Sequence, residues 1–333
     1  MSKKGSGKAR KVFKIILKTL GVIFALIVVL IVISSIRHAI KNKSDREKFA
    51  NAYGEYYTTA SGDKMNYTFY DSDSDKVAVV LPGYGCPSTH YEFDTFAKEL
   101  KDDYKIILVE PLGVGLSDAA STPRTVENYC SELHGLMEYL DIDEYTLIGH
   151  SIAGAYIVYY ANQYPDEVEA FIGIDASVPR QIEADMAMAK PENMKLLYHF
   201  MDIALGKTGL YRIMNELGKD QLTSPIPTLS DEEKDLYVAM AATTALNKTQ
   251  MNEMDLMGEN FGKCRDMKFP ESVPVLYVLC DSNVATMAEW KPLHEDIVTN
   301  PNSKVVVIKG EHYLHHTSLN ELISEIRNWD PES

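Results

Sequence analysis

The stretch IGHSIAG, residues 148–154, sets a serine among small neighbours: Gly149 two positions before Ser151, Ala153 and Gly154 just after it. EYTLIGH (144–150) is a short apolar run of the length of a buried strand. Ile152 to Gln163 is apolar nearly all round and reads as a buried helix. A chain that passes from strand to helix across a single residue must bend sharply and bring other backbone against itself, so the flanking positions have to be small. Such a bend exposes the Ser151 hydroxyl at the edge of a sheet. It also sets the hydroxyl beside a helix N-terminus, whose free N–H groups favour negative charge.

The same alternation extends outward from this point. YYTTASGDKMNYTFYD (56–71) reads as a hairpin around Ser61-Gly62-Asp63. KVAVVLPGYG (76–85) and YKIILVEPLGVGLSD (104–118) are apolar runs that end in glycine-rich loops, with the helical segment FDTFAKELKDDY (93–104) between them. From Val126 through Tyr129, Cys130, Leu133, Leu136, Met137 and Leu140 the apolar residues recur at helical steps. VEAFIGIDAS (168–177), VPVLYVLCDSN (273–283) and KVVVIKGEHY (304–313) are further strands, with helices expected near 286–298 and 317–329. Strands alternating with helices at these loop lengths predict an α/β fold: a mostly parallel central sheet with helices on both faces. Residues 176–270 break the rhythm. They carry helical pattern alone, hold ten of the fourteen methionines, and include a capping box, Ser230 with Glu233, for a helix over 231–246.

The N-terminus differs from the rest. Residues 1–18 carry seven basic residues and no acid, and TLGVIFALIVVLIVISSI (19–36) carries no charge. Eighteen helical residues span about 27 Å, close to a hydrocarbon core of about 30 Å. A cleaved signal peptide is the competing reading, but the apolar run is long for one and no A-x-A site follows it. The expected organisation is therefore a basic cytoplasmic tail (1–18), a transmembrane anchor (19–36), a polar linker (37–53), a core from 54–175 and 271–333 outside the cytoplasm, and a helical insertion over 176–270.

The first 48 residues hold 12 of the 33 basic residues and 2 of the 48 acidic ones, so the remainder carries 21 basic against 46 acidic, net −25. Nucleic-acid binding needs the opposite sign. Cys86, Cys130, Cys264 and Cys280 show neither C-x-x-C pairing nor zinc-ligand spacing. DSDSD (71–75) begins like a calcium loop, yet Lys76 and Pro82 stand where glycine and glutamate are required. No cofactor or metal is expected, and nothing in the sequence bears on oligomeric state.

Taken together these blocks resemble the α/β-hydrolase family from about residue 55 to 330, with the insertion at the position of that fold's cap. The family's G-x-S-x-G appears as Gly149-His150-Ser151-Ile152-Ala153. The resemblance implies that Ser151 is a nucleophile and that His312, in KGEHYLHH (309–316), is its general base, with His315 and His316 as nearby rivals. The backbone N–H groups of Tyr84, in LPGYG (81–85), and Ile152 would form an oxyanion hole. EPLGVGLS (110–117) resembles a structural D-x-x-G-x-G-x-S block with Glu110 at the aspartate position. The family's usual acid position falls on Asn283, which carries no charge. Asp281, two residues earlier, is the expected acid, with Asp175 the alternative.

A nucleophilic serine with these companions points to acyl transfer to water, with an apolar acyl ester as the expected substrate and insertion methionines lining its pocket. Relatives that open epoxides or remove halide attack with aspartate. Two other readings stay open: an aminopeptidase that holds a substrate amine through acidic residues of the insertion (Glu183, Asp185, Glu253, Asp255), and a catalytically silent binding module, for which Asn283 is the argument.

Overall fold

The computed structural model describes residues 5–183 and 190–331 of the chain. Asp185, Met186 and Met188 therefore lie outside the described residues. The N-terminal helix α1 (Gly5–Phe49) does not stop where the apolar run ends but continues through the polar segment 37–49. Its apolar side chains between Val12 and Ile36 face outward, and it is long and apolar enough to cross a membrane.

Eight strands form one sheet: β1 (Glu55–Thr58), β2 (Lys64–Tyr70), β3 (Val77–Leu81), β4 (Lys105–Glu110), β5 (Tyr145–His150), β6 (Val168–Ile174), β7 (Val275–Cys280) and β8 (Lys304–Ile308), in the order β1-β2-β4-β3-β5-β6-β7-β8. β2 runs antiparallel to both neighbours and every other pairing is parallel. The hairpin between β1 and β2 turns at Gly62, whose φ of 88° favours glycine.

The helices of the core are α2 (Thr89–Leu100), α3 (Val126–Leu140) and α4 (Ala153–Gln163). Between β6 and β7 come α5 (Pro191–Met201), α6 (Leu210–Leu217), α7 (Lys219–Thr223), α8 (Asp231–Thr244) and α9 (Lys248–Cys264), with no strand among the described residues. After β7 follow α10 (Asp281–Thr286), α11 (Trp290–Ile297), α12 (Leu314–Thr317) and α13 (Leu319–Asn328). The capping box at α8 is formed, with Ser230 and Glu233 exchanging side-chain-to-backbone bonds.

Strand residues alternate between two apolar layers, because successive side chains leave a sheet on opposite faces. Val79, Leu147, Phe171 and Tyr277 pack with Leu133 of α3, Tyr156 of α4, Phe261 of α9 and Trp290 of α11. Val80, Ile148, Ile172 and Val278 pack with Phe93 and Phe96 of α2 and Leu322 and Ile326 of α13. The parallel run β4-β3-β5-β6-β7-β8 brings the C-terminal ends of six strands to one edge, and the loops that follow them meet there.

Candidate active site

Ser151 follows the last residue of β5 with φ of 53°, a left-handed conformation that a non-glycine residue adopts only when its surroundings enforce it. The surroundings here are close. A Cβ on Gly149 would lie 2.6 Å from Ile157 Cδ1, and one on Gly154 would lie 2.6 Å from the Ser177 carbonyl oxygen. Ser177 N–H in turn donates to the Ser151 carbonyl at 2.6 Å. The small residues around the serine are thus required by packing on both sides of the bend.

His312, in the loop after β8, places Nε2 3.0 Å from Ser151 Oγ and Nδ1 2.6 Å from Asp175 Oδ2. Of the two carboxylates weighed from sequence, the structure brings Asp175 to the histidine and not Asp281. β7 ends at Cys280 and the chain turns directly into α10, so the Asp281 carboxylate accepts from Gly310 N–H at 2.9 Å instead. Asp175 directly follows β6 with φ of 40°, and its side chain reaches His312 across the sheet edge.

The Asp175 carboxylate is fully buried and surrounded by donors: Cys280 N–H at 3.1 Å, Trp290 Nε1–H at 3.0 Å and Asn283 Nδ2–H at 2.5 Å, besides His312. Burial opposes its charge, but the bonds from His312, Trp290 and the Cys280 amide outweigh that and hold its pKa below the usual aspartate value. Asn283 therefore does not replace the acid; it donates to it. Trp290 had no sequence signal, since its position in α11 gives no hint that its indole N–H reaches a strand end 115 residues earlier.

The amides of Tyr84 and Ile152 flank the serine, one in the loop after β3 and the other at the entry to α4. Neither donates to a protein acceptor among the described residues. The β3 loop approaches so closely that a Cβ on Gly83 would lie 2.9 Å from Ser151 Cβ and 2.8 Å from His150 Nδ1. The helical insertion fixes this loop from above: Tyr84 Oη–H donates to the Gln250 carbonyl at 2.8 Å, and Gly85 N–H donates to Gln250 Oε1 at 3.0 Å. Gln250 was not foreseen, because no local motif marks it.

His150 donates from Nε2 to the His312 carbonyl at 3.1 Å, and burial, reinforced by His315 and His312, pushes its pKa far down. It is a neutral support for the loop that carries His312. His315 and His316 sit on α12 and neither bonds to Ser151; His316 Nε2 meets Glu92 at 2.5 Å. His315 stacks on Phe93 with ring centroids 4.1 Å apart, and burial lowers its pKa to about 4.

A cavity of about 40 Å³ opens on Ser151, lined by the 83–87 loop, Glu92, Phe93, His150, Tyr313 and His315. No methionine lines it among the described residues, contrary to expectation: Met240, Met251 and Met254 are buried in the packing of the insertion. Three of the four acidic residues weighed in the insertion are also engaged elsewhere, Asp185 lying outside the described residues. Glu183 pairs with Arg180 and Arg265, Asp255 with Lys195 and His199, and Glu253 accepts from Tyr156 Oη–H. All four thiols are free.

Glu110 closes the loop beneath the site. Its buried carboxylate accepts from Ser88 Oγ–H at 2.6 Å, Tyr53 Oη–H at 2.8 Å and Leu116 N–H at 2.7 Å. A Cβ on Gly115 would collide with it at 2.1 Å.

A strained serine after a central parallel strand, a histidine from the loop after the last strand and an acid from a strand between them define an α/β hydrolase. The family model described as "alpha/beta hydrolase fold" matches residues 78–202, and the chain has that fold. It is 24% identical over 266 residues to the uncharacterized protein YbdG of Bacillus subtilis (strain 168), covering 79% of this chain and 80% of that one. It is also 24% identical over 279 residues to Lipase 3 of Moraxella sp. (strain TA144), covering 81% of each. Among solved structures, a variant of the Vigna radiata epoxide hydrolase superposes with a TM-score of 0.63 at 19% identity, covering 83% of this chain and 98% of that one.

Proposed function

We propose that this protein is a serine hydrolase that cleaves carboxylic esters through an acyl-enzyme on Ser151. The observation that carries this reading is the continuous chain from Ser151 Oγ through both nitrogens of His312 to Asp175, with separations of 3.0 Å and 2.6 Å. In that reaction His312 Nε2 takes the hydroxyl proton as Oγ attacks the ester carbonyl. Asp175, already ionised, stabilises the imidazolium. The Tyr84 and Ile152 amides, free of protein acceptors, take the oxyanion. Collapse of the intermediate breaks the bond to the alcohol, which leaves with the proton from His312, and water repeats the sequence to release the acid.

The Moraxella relative is named a lipase, which supports ester chemistry, whereas the epoxide hydrolase likeness at 19% identity speaks to fold alone. Glu183, Glu253 and Asp255 are held by neighbouring side chains, which favours the ester reading over an aminopeptidase that would use them to hold a substrate amine. The bond that Asn283 donates to Asp175 supports a working acid over a silent module. We further propose that α1 anchors the protein, with the basic tail in the cytoplasm and the hydrolase domain on the other side.

The test is a fluorophosphonate probe on the detergent-solubilised full chain. Wild type should be labelled and Ser151→Ala should not, and p-nitrophenyl esters should be turned over by wild type alone. A folded wild-type chain that takes no label overturns the reading.

A further inference from the structure

Of the large apolar side chains exposed beyond residue 50, six fall within 22 residues of the insertion: Leu196, Leu197, Phe200, Ile203, Met214 and Leu217. Leu196, Phe200 and Ile203 recur at helical steps along α5 and the turn that follows it, and Met214 and Leu217 do so on α6. Exposures of 72% for Leu196, 67% for Phe200 and 85% for Leu217 make them outward-facing stripes and not edges of a core. An apolar concentration of this kind on a protein surface marks an interaction site.

The position of α6 relative to α1 says what that site meets. Gly209, at the start of α6, lies so close to α1 that a Cβ would be 2.7 Å from His38 Cβ and 2.8 Å from the Ser34 carbonyl oxygen. Arg212, 1% exposed, donates to Asp45 at 2.7 Å, to His38 Nδ1 at 3.3 Å and to Asn42. Glu216 accepts from Arg37 at 2.6 Å and from Lys41 at 3.4 Å. All of these partners lie between residues 34 and 45, and the uncharged run ends at Ile36. At 1.5 Å per residue, 37–45 rise about 13 Å beyond that run, a distance comparable to the headgroup layer of a bilayer. α6 is therefore clamped to the anchor at headgroup height.

We propose that α5, its following turn and α6 rest on the same membrane that α1 spans, with Leu196, Phe200, Ile203, Met214 and Leu217 entering the boundary between headgroups and acyl chains, and that the ester substrate is a membrane-resident lipid drawn from this face. The proposal rests on the reading of α1 as an anchor and of Ser151 as an ester-cleaving nucleophile. The inner side of α5 supplies the link to chemistry. Tyr198 packs edge-on against Tyr84 with centroids 5.3 Å apart, so the helix that faces lipid outward covers the β3 loop inward. The cavity at Ser151, about 40 Å³, is far below the several hundred Å³ a lipid chain needs. Displacement of α5 by the bilayer would open a path from the lipid phase to the serine.

The full chain, reconstituted in phosphatidylcholine–phosphatidylglycerol vesicles, tests this. Tryptophan placed by Phe200→Trp or Leu217→Trp should be quenched by bromine-labelled acyl chains, and tryptophan placed by Tyr139→Trp, an exposed position far along the chain, should not. The combined variant Leu196→Asp, Phe200→Asp, Leu217→Asp should lower the ratio of vesicle-lipid to soluble-ester turnover at least about tenfold. No quenching in a chain that floats with the vesicles overturns the proposal, including the case in which a second copy covers the face. Failure to float overturns the anchor reading and this proposal with it. Quenching without cleavage of any ester upholds the docking surface and overturns the ester reading instead.

Discussion

His312 Nδ1 lies 2.6 Å from Asp175 Oδ2, while Asp281, from the neighbouring strand end, accepts a backbone N–H from Gly310. Both carboxylates reach the same sheet edge, and only one has the imidazole within reach. Asp175→Asn should lower kcat on a soluble ester by about 10³–10⁴-fold, because the neutral partner no longer stabilises the imidazolium or fixes its tautomer. Asp281→Asn should change kcat by less than about threefold. Steady-state kinetics on both variants decides the assignment, and the reverse ranking would sink it.

Asn283 donates to the carboxylate oxygen that also serves His312. Asn283→Ala removes one of several donors and should cost about tenfold in kcat with KM little changed. Asn283→Asp should do more harm despite restoring a carboxylate to that position. Two acids at hydrogen-bond distance must share a proton, which disturbs the ionised Asp175 that the site depends on. A more active Asn283→Asp variant would contradict this account.

Gly154 is held against the Ser177 carbonyl and Ala176 Cβ, at 2.6 Å and 2.7 Å from where its own Cβ would stand. The Ser177 contact is backbone and cannot give way cheaply. Gly154→Val should destabilise the domain by about 3 kcal/mol or more, within the range of overpacked core positions. Chemical denaturation of the Gly154→Val variant reads this directly, and an unchanged midpoint would show that the bend is looser than its contacts imply.

Burial of Glu110 outweighs the bonds it accepts and raises its pKa from 4.5 to about 7. A carboxyl whose folded pKa is raised binds its proton more tightly in the native state, so its contribution is complete below pH 4.5 and declines as pH rises toward 7. The decline is on the order of 3 kcal/mol. Glu110→Gln removes this titration, since its amide is neutral at every pH and can turn its carbonyl oxygen to the Leu116 N–H donor. The stability of wild type relative to Glu110→Gln should fall between pH 4.5 and 7. A difference constant with pH would show that Glu110 is ionised throughout.

Much of this molecule was legible before any coordinates. The period of the apolar residues separated strands from helices, since burial on a strand repeats every two residues and on a helix every 3.6. Gly149, Ala153 and Gly154 marked the bend at Ser151 because close approach leaves a composition signature in the chain itself. His312 was marked by the resemblance of KGEHYLHH to the loop that follows the last strand in α/β hydrolases. These are local properties, and a sequence writes them locally.

Whether Asp175 or Asp281 faces the histidine could not be read that way, because both follow apolar strands and both are followed by helix. The answer depends on which strand end points across the edge, which the left-handed backbone at Asp175 and the immediate start of α10 at Asp281 determine together. Trp290 and Gln250 were invisible for the same reason: their partners lie 115 and 165 residues away, and no spacing encodes such a contact. The seating of α6 on the far end of α1 is likewise a product of tertiary packing. Pattern in the chain determines which elements exist and which faces they bury; only the folded arrangement determines which polar groups meet at their ends.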